Sequence, residues 1–307
     1  MRILFVTATR IGDAVLSTGL LDHLLRTYPQ ARITVACGPA AEGVFARMPQ
    51  RAATIVLEKR RFSLHWLALW AQVARHRWDL VVDLRGSALS WLVPARARAV
   101  MRGGRRPGHK LLHLGQVLRL TPAPRPVAWF DAADVARAEA VLPGEGPFIA
   151  LGPSANWPGK VWPPERFVEL FRALTAPEGP LPGARPVILG GPGETEANMA
   201  APVLRALPGA VDLVGRLSLP EAAAVLTRCA LFVGNDSGLM HLSAAAGAPT
   251  LGLFGPTQAS EYAPVGRRAR VVMAEGPPGH APMEALSVDA ALEGAIALLG
   301  RPEVAAA

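Results

Sequence analysis

With 307 residues, half of them hydrophobic and 18% charged, the chain is sized for two globular domains and is neither disordered nor of low complexity. Its two cysteines, Cys37 and Cys229, stand far apart without metal-ligand spacing, which excludes a disulfide framework or a zinc site and fits a reducing compartment. The net charge of +8 is uneven, because residues 1–145 carry 21 Lys and Arg against 10 Asp and Glu while the remainder carries 11 against 14.

The chain opens on MRILFVTA, with one arginine and no small-residue cleavage site, which predicts a first strand and not a signal peptide. RITVA, ATIVL and DLVVDL supply further strands, with helices expected over residues 14–27, 39–47 and 63–76. The longest aromatic-rich apolar stretch, residues 62–74, is interrupted by His65 and Gln72 and is too short to span a bilayer. Two basic clusters follow, Lys59, Arg60 and Arg61, then Arg96, Arg98, Arg102, Arg105, Arg106 and Lys110. Such density points to an anionic partner or to a solvated arginine-rich loop. Aromatic residues do not interleave with the basic run and no RNA-binding or helix-turn-helix signature occurs, so an anionic lipid or sugar ranks above nucleic acid.

The segment LPGEGP, residues 142–147, joins this half to a second one. There PFIALG, RPVILGG, AVDLVG, ALFVGN and APTLGLFG read as strands, and helices follow Pro164, surround Thr195 and start at Leu219 and Gly238. TAPEGPLPGAR, residues 175–185, is too rich in Pro and Gly for a helix and reads as a surface loop. A final helix near Val288–Leu299 is a candidate to pack back on the first domain. Near-continuous apolar strands alternating with helices indicate parallel sheets covered on both faces. The expected architecture is α/β, with two Rossmann-like domains, 1–143 and 147–307, facing each other across a cleft.

Four segments after strands carry candidate chemistry. In TRIGDAVLSTGLLDHLL, Gly12 is expected in the turn and Asp13 at the mouth of the helix, as a general base or a cap; Asp83, after DLVVDL, is its closest rival. In GPSANWPGKVWPPERF, Lys160 is one of only three lysines in an arginine-dominated chain, which hints that a compact ammonium is wanted there. In LGGPGETE, residues 189–196, glycines allow close approach of a ligand, and Glu194 and Glu196 are placed to accept bonds from ribose hydroxyls. The dinucleotide fingerprint is incomplete, since Glu196 takes the third glycine's place, and this weakens a nicotinamide reading. The last segment, LFVGNDSGLMHLSAAAGAP, reads as strand, tight turn and Ala-rich helix from Ser237 or Gly238. Asp236 and Ser237 fall where the first helical N–H groups lack partners and His241 follows one turn in, an arrangement that attracts phosphate as readily as it caps a helix. FGPT, residues 254–257, adds a second turn beside it. With no DxD triplet and no metal spacing, a diphosphate would be neutralised by Lys160 and the helix dipole, and neither metal nor cofactor is expected.

Taken together, RIGDAVLSTGLLDHL, GPSANWPGKVWP, GGPGETE and VGNDSGLMHLSAAAGAPTLGLFGPT, in this order, resemble glycosyltransferase family 9, the lipopolysaccharide heptosyltransferase family, from Arg2 to about Gly266. The resemblance implies a GT-B fold and inverting, metal-independent transfer from ADP-heptose to the inner core of lipopolysaccharide. It also implies a cytoplasmic protein peripherally placed on the inner face of the membrane, with a lipid-linked anionic glycan as acceptor and no nucleic acid. By position, Asp13 resembles the family's catalytic base, Lys160 its diphosphate-contacting lysine and Glu194 or Glu196 its ribose-binding acid. Asp236, Ser237, Gly238 and His241 resemble the loop that holds diphosphate and sugar, and Gly12 is grouped with the donor-binding residues. Arg60, Arg61, Arg105 and Arg106 are the candidate acceptor contacts. Ser237 stands where the best-known members carry Thr, which keeps the hydroxyl. The competing readings are a member that glycosylates another glycan or a protein, and a non-catalytic nucleotide-sugar-binding subunit.

Overall fold

Apolar runs of four to six residues, each followed by a helical stretch, build two separate parallel sheets in the computed structural model, which describes residues 1–59, 61–103 and 107–300. The chain divides into two units, Met1–Trp129 and Phe130–Ala307.

The first unit runs β1 (Arg2–Val6), α1 (Ile11–Thr27), β2 (Arg32–Cys37), β3 (Arg51–Val56), α2 (Leu64–Val73), β4 (Trp78–Asp83), α3 (Leu89–Leu92), β5 (Ala95–Val100) and α4 (Lys110–Val117), with a 3-10 helix at Pro39–Phe45. Its parallel strands lie in the order β3-β2-β1-β4-β5. Ile3, Leu4, Phe5 and Val6 are all wholly buried, as a central strand covered on both faces requires. One side of the core packs Leu4, Val6, Leu69, Val73, Trp78, Val81 and Leu89 together. Strand order reverses between β1 and β4, so the residues after Val6 and the side chain of Asp83 share one end of the sheet.

Two features here depart from expectation. Helix α1 begins at Ile11, with Arg10 in extended conformation as its N-cap, so Gly12 lies inside the first helical turn and the turn itself falls on residues 7–10. Strand β5, ARARAV, is an additional edge strand in which Arg96 is exposed and Arg98 folds back onto the carbonyls of Ser90, Val93 and Ala95.

The second unit runs α5 (Ala132–Val141), β6 (Phe148–Gly152), α6 (Pro164–Thr175), β7 (Arg185–Ile188), α7 (Glu194–Ala206), β8 (Val211–Asp212), α8 (Leu219–Thr227), β9 (Leu231–Asn235), α9 (Gly238–Ala246), β10 (Thr250–Phe254), α10 (Ala259–Tyr262), β11 (Ala269–Met273) and α11 (Val288–Leu299). All strands are parallel, in the order β11-β10-β9-β6-β7-β8. Helices α5 and α8 each start with a capping box, Asp131 with Asp134 and Ser218 with Glu221. Because α5 packs on α8, the Pro/Gly segment 142–147 lies within this unit, where Arg185 and Arg228 donate to the carbonyls of Pro143 and Leu142. The final helix α11, the candidate for packing on the first domain, packs on α6, β10 and β11 of its own unit. Residues 176–184 form the surface loop foreseen between α6 and β7. Among the described residues, no helix is long and apolar enough to cross a membrane.

Candidate functional site

In the second sheet the strand order reverses between β6 and β9, and outside the carboxyl ends of such a pair an open α/β sheet leaves a crevice. Small residues let these ends approach closely: Gly152 on β6 pairs with Gly234 on β9. A Cβ added to Gly234 would come within 2.5 Å of the Phe232 ring and 3.2 Å of the Gly152 carbonyl oxygen.

Beyond β6 the chain forms a loop with one turn of 3-10 helix, Pro158–Lys160, and enters α6 at Pro164, whose missing N–H costs nothing at a first helical position. Asn235, the wholly buried last residue of β9, fixes this loop. Its Oδ1 accepts from the Trp162 backbone N–H at 3.0 Å and its Nδ2 donates to the Gly152 carbonyl at 3.5 Å. The buried Trp162 indole in turn donates to the Leu286 carbonyl at 2.9 Å and meets Phe167 edge-on. Two residues before this anchor, Lys160 Nζ reaches Asp236 Oδ2 at 2.6 Å, joining loops 76 residues apart, and both side chains are largely shielded from water. A shielded pair with such short contact is a strong charge-assisted bond, and it fixes the ammonium to the residue that precedes the N-cap of α9.

Ser237 holds the N-cap position of α9 in extended conformation, but its side chain makes no capping bond. The capping alternative for Asp236 is therefore not realised, since its carboxylate faces Lys160. Gly238 begins the helix, which leaves first-turn N–H groups and the positive end of the dipole beside the ion pair. His241 is buried one turn in.

The loop after β7 brings a carboxylate to the same end of the sheet. Glu196 Oε2 accepts from Ser154 Oγ at 2.6 Å and from the Gly191 N–H at 2.8 Å, tying the loops after β6 and β7 together. Gly193, at φ +109°, turns the chain into α7, a conformation that L side chains rarely adopt. Glu194, the first residue of α7, is exposed, so the two acids that the motif leaves equivalent have different environments.

In the first unit Asp13 lies in the first turn of α1, half-buried, with neither a hydrogen bond nor an ion pair among the described residues. It is not the N-cap. Asp83 is the opposite case: wholly buried, it accepts from the backbone N–H of Arg85 and Ser87, each at 2.8 Å, and from the hydroxyls of Ser87 and Ser90 at 2.6 and 3.0 Å. Three of these bonds fall on Oδ2 and one on Oδ1, so Asp83 organises the β4–α3 loop from a wholly buried position.

Gly12 occupies a helical position beside Asp13. Of the candidate acceptor contacts, Arg61 is exposed ahead of α2, whereas Arg60, Arg105 and Arg106 lie outside the described residues. Asn235, Trp162 and Ser154 stand in the motifs with no separate signal of a role, except that an Asn at the end of an apolar strand marks the first of them. Burial pushes both thiols, Cys37 and Cys229, up to about 12. Among the described residues no group of three or more His, Cys, Asp or Glu is placed to hold a metal ion.

The family model for glycosyltransferase family 9 (heptosyltransferase) matches residues 116–284. The chain is similar to lipooligosaccharide heptosyltransferase 2 of Haemophilus influenzae, 26% identical over an alignment that covers 89% of this chain and 88% of the relative. It is 28% identical to lipopolysaccharide heptosyltransferase 2 of Escherichia coli K12, with the same coverage. The solved structure of E. coli ADP-heptose LPS heptosyltransferase II resembles it with a TM-score of 0.77 at 22% identity, covering 97% of this chain and 98% of that one.

Proposed function

This chain belongs to glycosyltransferase family 9 and is a glycosyltransferase of the GT-B fold, and from that premise we propose that it moves a heptose from ADP-heptose to a hydroxyl of a lipopolysaccharide core acceptor, inverting the anomeric centre without a metal. The observation that carries this reading is the Lys160–Asp236 pair at the sheet's reversal point, beside the uncapped start of α9. As the bond from the anomeric carbon to the diphosphate breaks, charge grows on the phosphate oxygens. Lys160 and the first N–H groups of α9 are the groups to meet it, and fixed dipoles and charges of this kind stabilise a transition state without reorganising. Asp236 orients the ammonium, His241 and Ser237 flank the sugar and diphosphate, and Glu196, already held by Ser154 and Gly191, accepts from the ribose hydroxyls.

The acceptor hydroxyl bonds to the anomeric carbon, ADP departs, and the hydroxyl proton passes to Asp13, whose carboxylate has no competing partner among the described residues. The proposed base belongs to the first unit, Met1–Trp129, and the proposed donor residues to the second, Phe130–Ala307. A lipid-linked, phosphorylated acceptor suits the cationic first half and would place the chain peripherally at the cytoplasmic face of the membrane.

Incubation with ADP-heptose and a heptose-deficient core acceptor tests the reading. Mass spectrometry should find one heptosyl unit added and ADP released, with inverted configuration by NMR. Transfer from a UDP- or GDP-sugar but not from ADP-heptose would overturn the donor, and retained configuration would overturn the mechanism.

A further inference from the structure

Helix α2, LHWLALWAQV, contains no charged residue, yet only one of its faces enters the core. Trp66, Leu69 and Val73, at i, i+3 and i+7, pack against the sheet. The opposite stripe repeats the spacing with Leu64, Leu67 and Ala71 and faces outward, Leu67 being 59% exposed. Phe62, just ahead of the helix, is 91% exposed, and it and Ser63 both adopt left-handed backbone, at φ 53° and 58°. Two successive L residues in that region are held there against their preference. The Trp70 indole donates to the Leu92 carbonyl at 3.0 Å, which joins α2 to α3 and adds Trp91 and Leu92, 69% and 64% exposed, to the same surface. Soluble proteins rarely leave a contiguous apolar patch of this kind uncovered.

The surroundings identify the cover. Between residues 59 and 98 the chain carries eight Lys and Arg against two Asp. Of the two acids, Asp83 is wholly buried and held by the β4–α3 loop, and Asp79 accepts from the Arg2 backbone N–H. Arg98, which donates to the carbonyls of Ser90, Ala95 and Val93, holds its guanidinium 5.8 Å from the centre of the Trp91 ring. Arg85 sits similarly over Trp66. A second copy of this chain would set like charges against each other across a symmetric contact. An anionic bilayer instead accepts both components, since indole and aliphatic side chains enter the headgroup boundary while arginines meet the phosphates. We propose that Phe62, α2 and α3 form the face by which this protein seats on an anionic membrane surface, with Leu67, Trp70 and Trp91 as its apolar anchors.

This deepens the membrane part of the proposed function and rests on it, but does not depend on which sugar is moved. The test uses the intact protein with vesicles of phosphatidylethanolamine and phosphatidylglycerol, with or without brominated acyl chains. The brominated lipid is expected to quench the tryptophan emission of the wild-type protein. Leu67→Ser combined with Trp91→Ser should weaken vesicle binding by roughly tenfold or more, while transfer to a delipidated core oligosaccharide is unchanged. Vesicle binding that the double variant leaves intact, or wild-type binding without bromine quenching, overturns this face and spares the membrane reading. No vesicle binding at all overturns both, and transfer to the soluble acceptor then still stands for the enzyme. Concentration-dependent self-association that the double variant abolishes would assign the patch to a second copy instead.

Discussion

Asp13 and Asp83 are both acids at the carboxyl end of the first sheet's two central strands, and their surroundings suit them to opposite tasks. Asp83 receives four hydrogen bonds in a site without water contact, and since the Ser90 hydroxyl also reaches the Ser87 carbonyl at 2.8 Å, Asp83→Ala strands three donors and should cost about 3 kcal/mol or more, read as a shifted urea midpoint. Asp13 has only the helix dipole to lose. Asp13→Asn should therefore change stability by less than about 1 kcal/mol and keep ADP affinity, while turnover falls by roughly 10²-fold or more. Wild-type turnover in that variant would remove Asp13 from the proposed chemistry. For Lys160→Met, turnover at saturating donor should fall by on the order of 10²-fold, and near-normal turnover would remove the ammonium from leaving-group stabilisation. The thiols add a pH dependence of their own. Burial raises Cys37 and Cys229 from 9.0 to about 12, so below pH 9 both folded and unfolded chains hold these protons. Between pH 9 and 12 only the unfolded chain releases them, and stability falls by up to about 1.4 kcal/mol per pH unit for each thiol. Replacing both by Ala should flatten that part of a stability–pH profile measured by denaturant unfolding.

At the scale of elements, the close approach of β6 and β9 rests on glycine. Gly234→Ala drives a Cβ into Phe232, and the repacking should cost about 2 kcal/mol in thermal unfolding and weaken ADP binding by displacing Asn235 and Asp236. Strands such as RILFV and LFVGN were legible because burial on both faces leaves an uninterrupted apolar run. Two of the four edge strands were not: β5 alternates Ala with Arg and hides within a basic cluster, and β11, ARVVM, starts on a short, partly exposed run, whereas β3 and β8 overlap the apolar runs ATIVL and AVDLVG. The start of α1 is hidden in the sequence because no Ser, Thr, Asp or Asn occupies its N-cap; Arg10 does. Within the candidate site, Lys160, Asp236 and Glu196 were each visible from their motifs. Their arrangement was not, since a 2.6 Å contact between residues 76 apart follows from sheet order, which local pattern does not encode.

For the molecule as a whole, the uneven charge and the two-sheet build make separable predictions. A ligand that binds only the native state raises its stability by about 2.7 kcal/mol at a concentration a hundredfold above Kd. ADP should raise the melting temperature in this way, and UDP and NADH should do so much less at the same concentration; an equal response to all three would dissolve the claim of adenine-diphosphate preference. The 21 basic residues of the first 145 should make binding to phosphorylated core glycan fall steeply with ionic strength, because exposed charges are screened beyond about 8 Å at physiological salt. Two successive β/α arrays were readable from alternation alone, since each half repeats apolar strand and helix with short connections.

The Lys160–Asp236 contact also means that the second unit carries its own rival for every incoming anion. A phosphate that approaches the start of α9 meets an ammonium whose charge is already answered from 2.6 Å away, at an effective concentration no solute reaches. On the proposed reading, inorganic phosphate and other small anions, with nothing to offer Glu196, would be turned away by that internal rivalry, whereas a nucleotide diphosphate would bring enough other contacts to share the lysine. Selectivity would then be set by a carboxylate that need not touch the nucleotide at all. Asp236→Asn should reverse the balance: pyrophosphate and ADP bind more tightly by calorimetry, the gap between them narrows, and ordinary phosphate begins to inhibit.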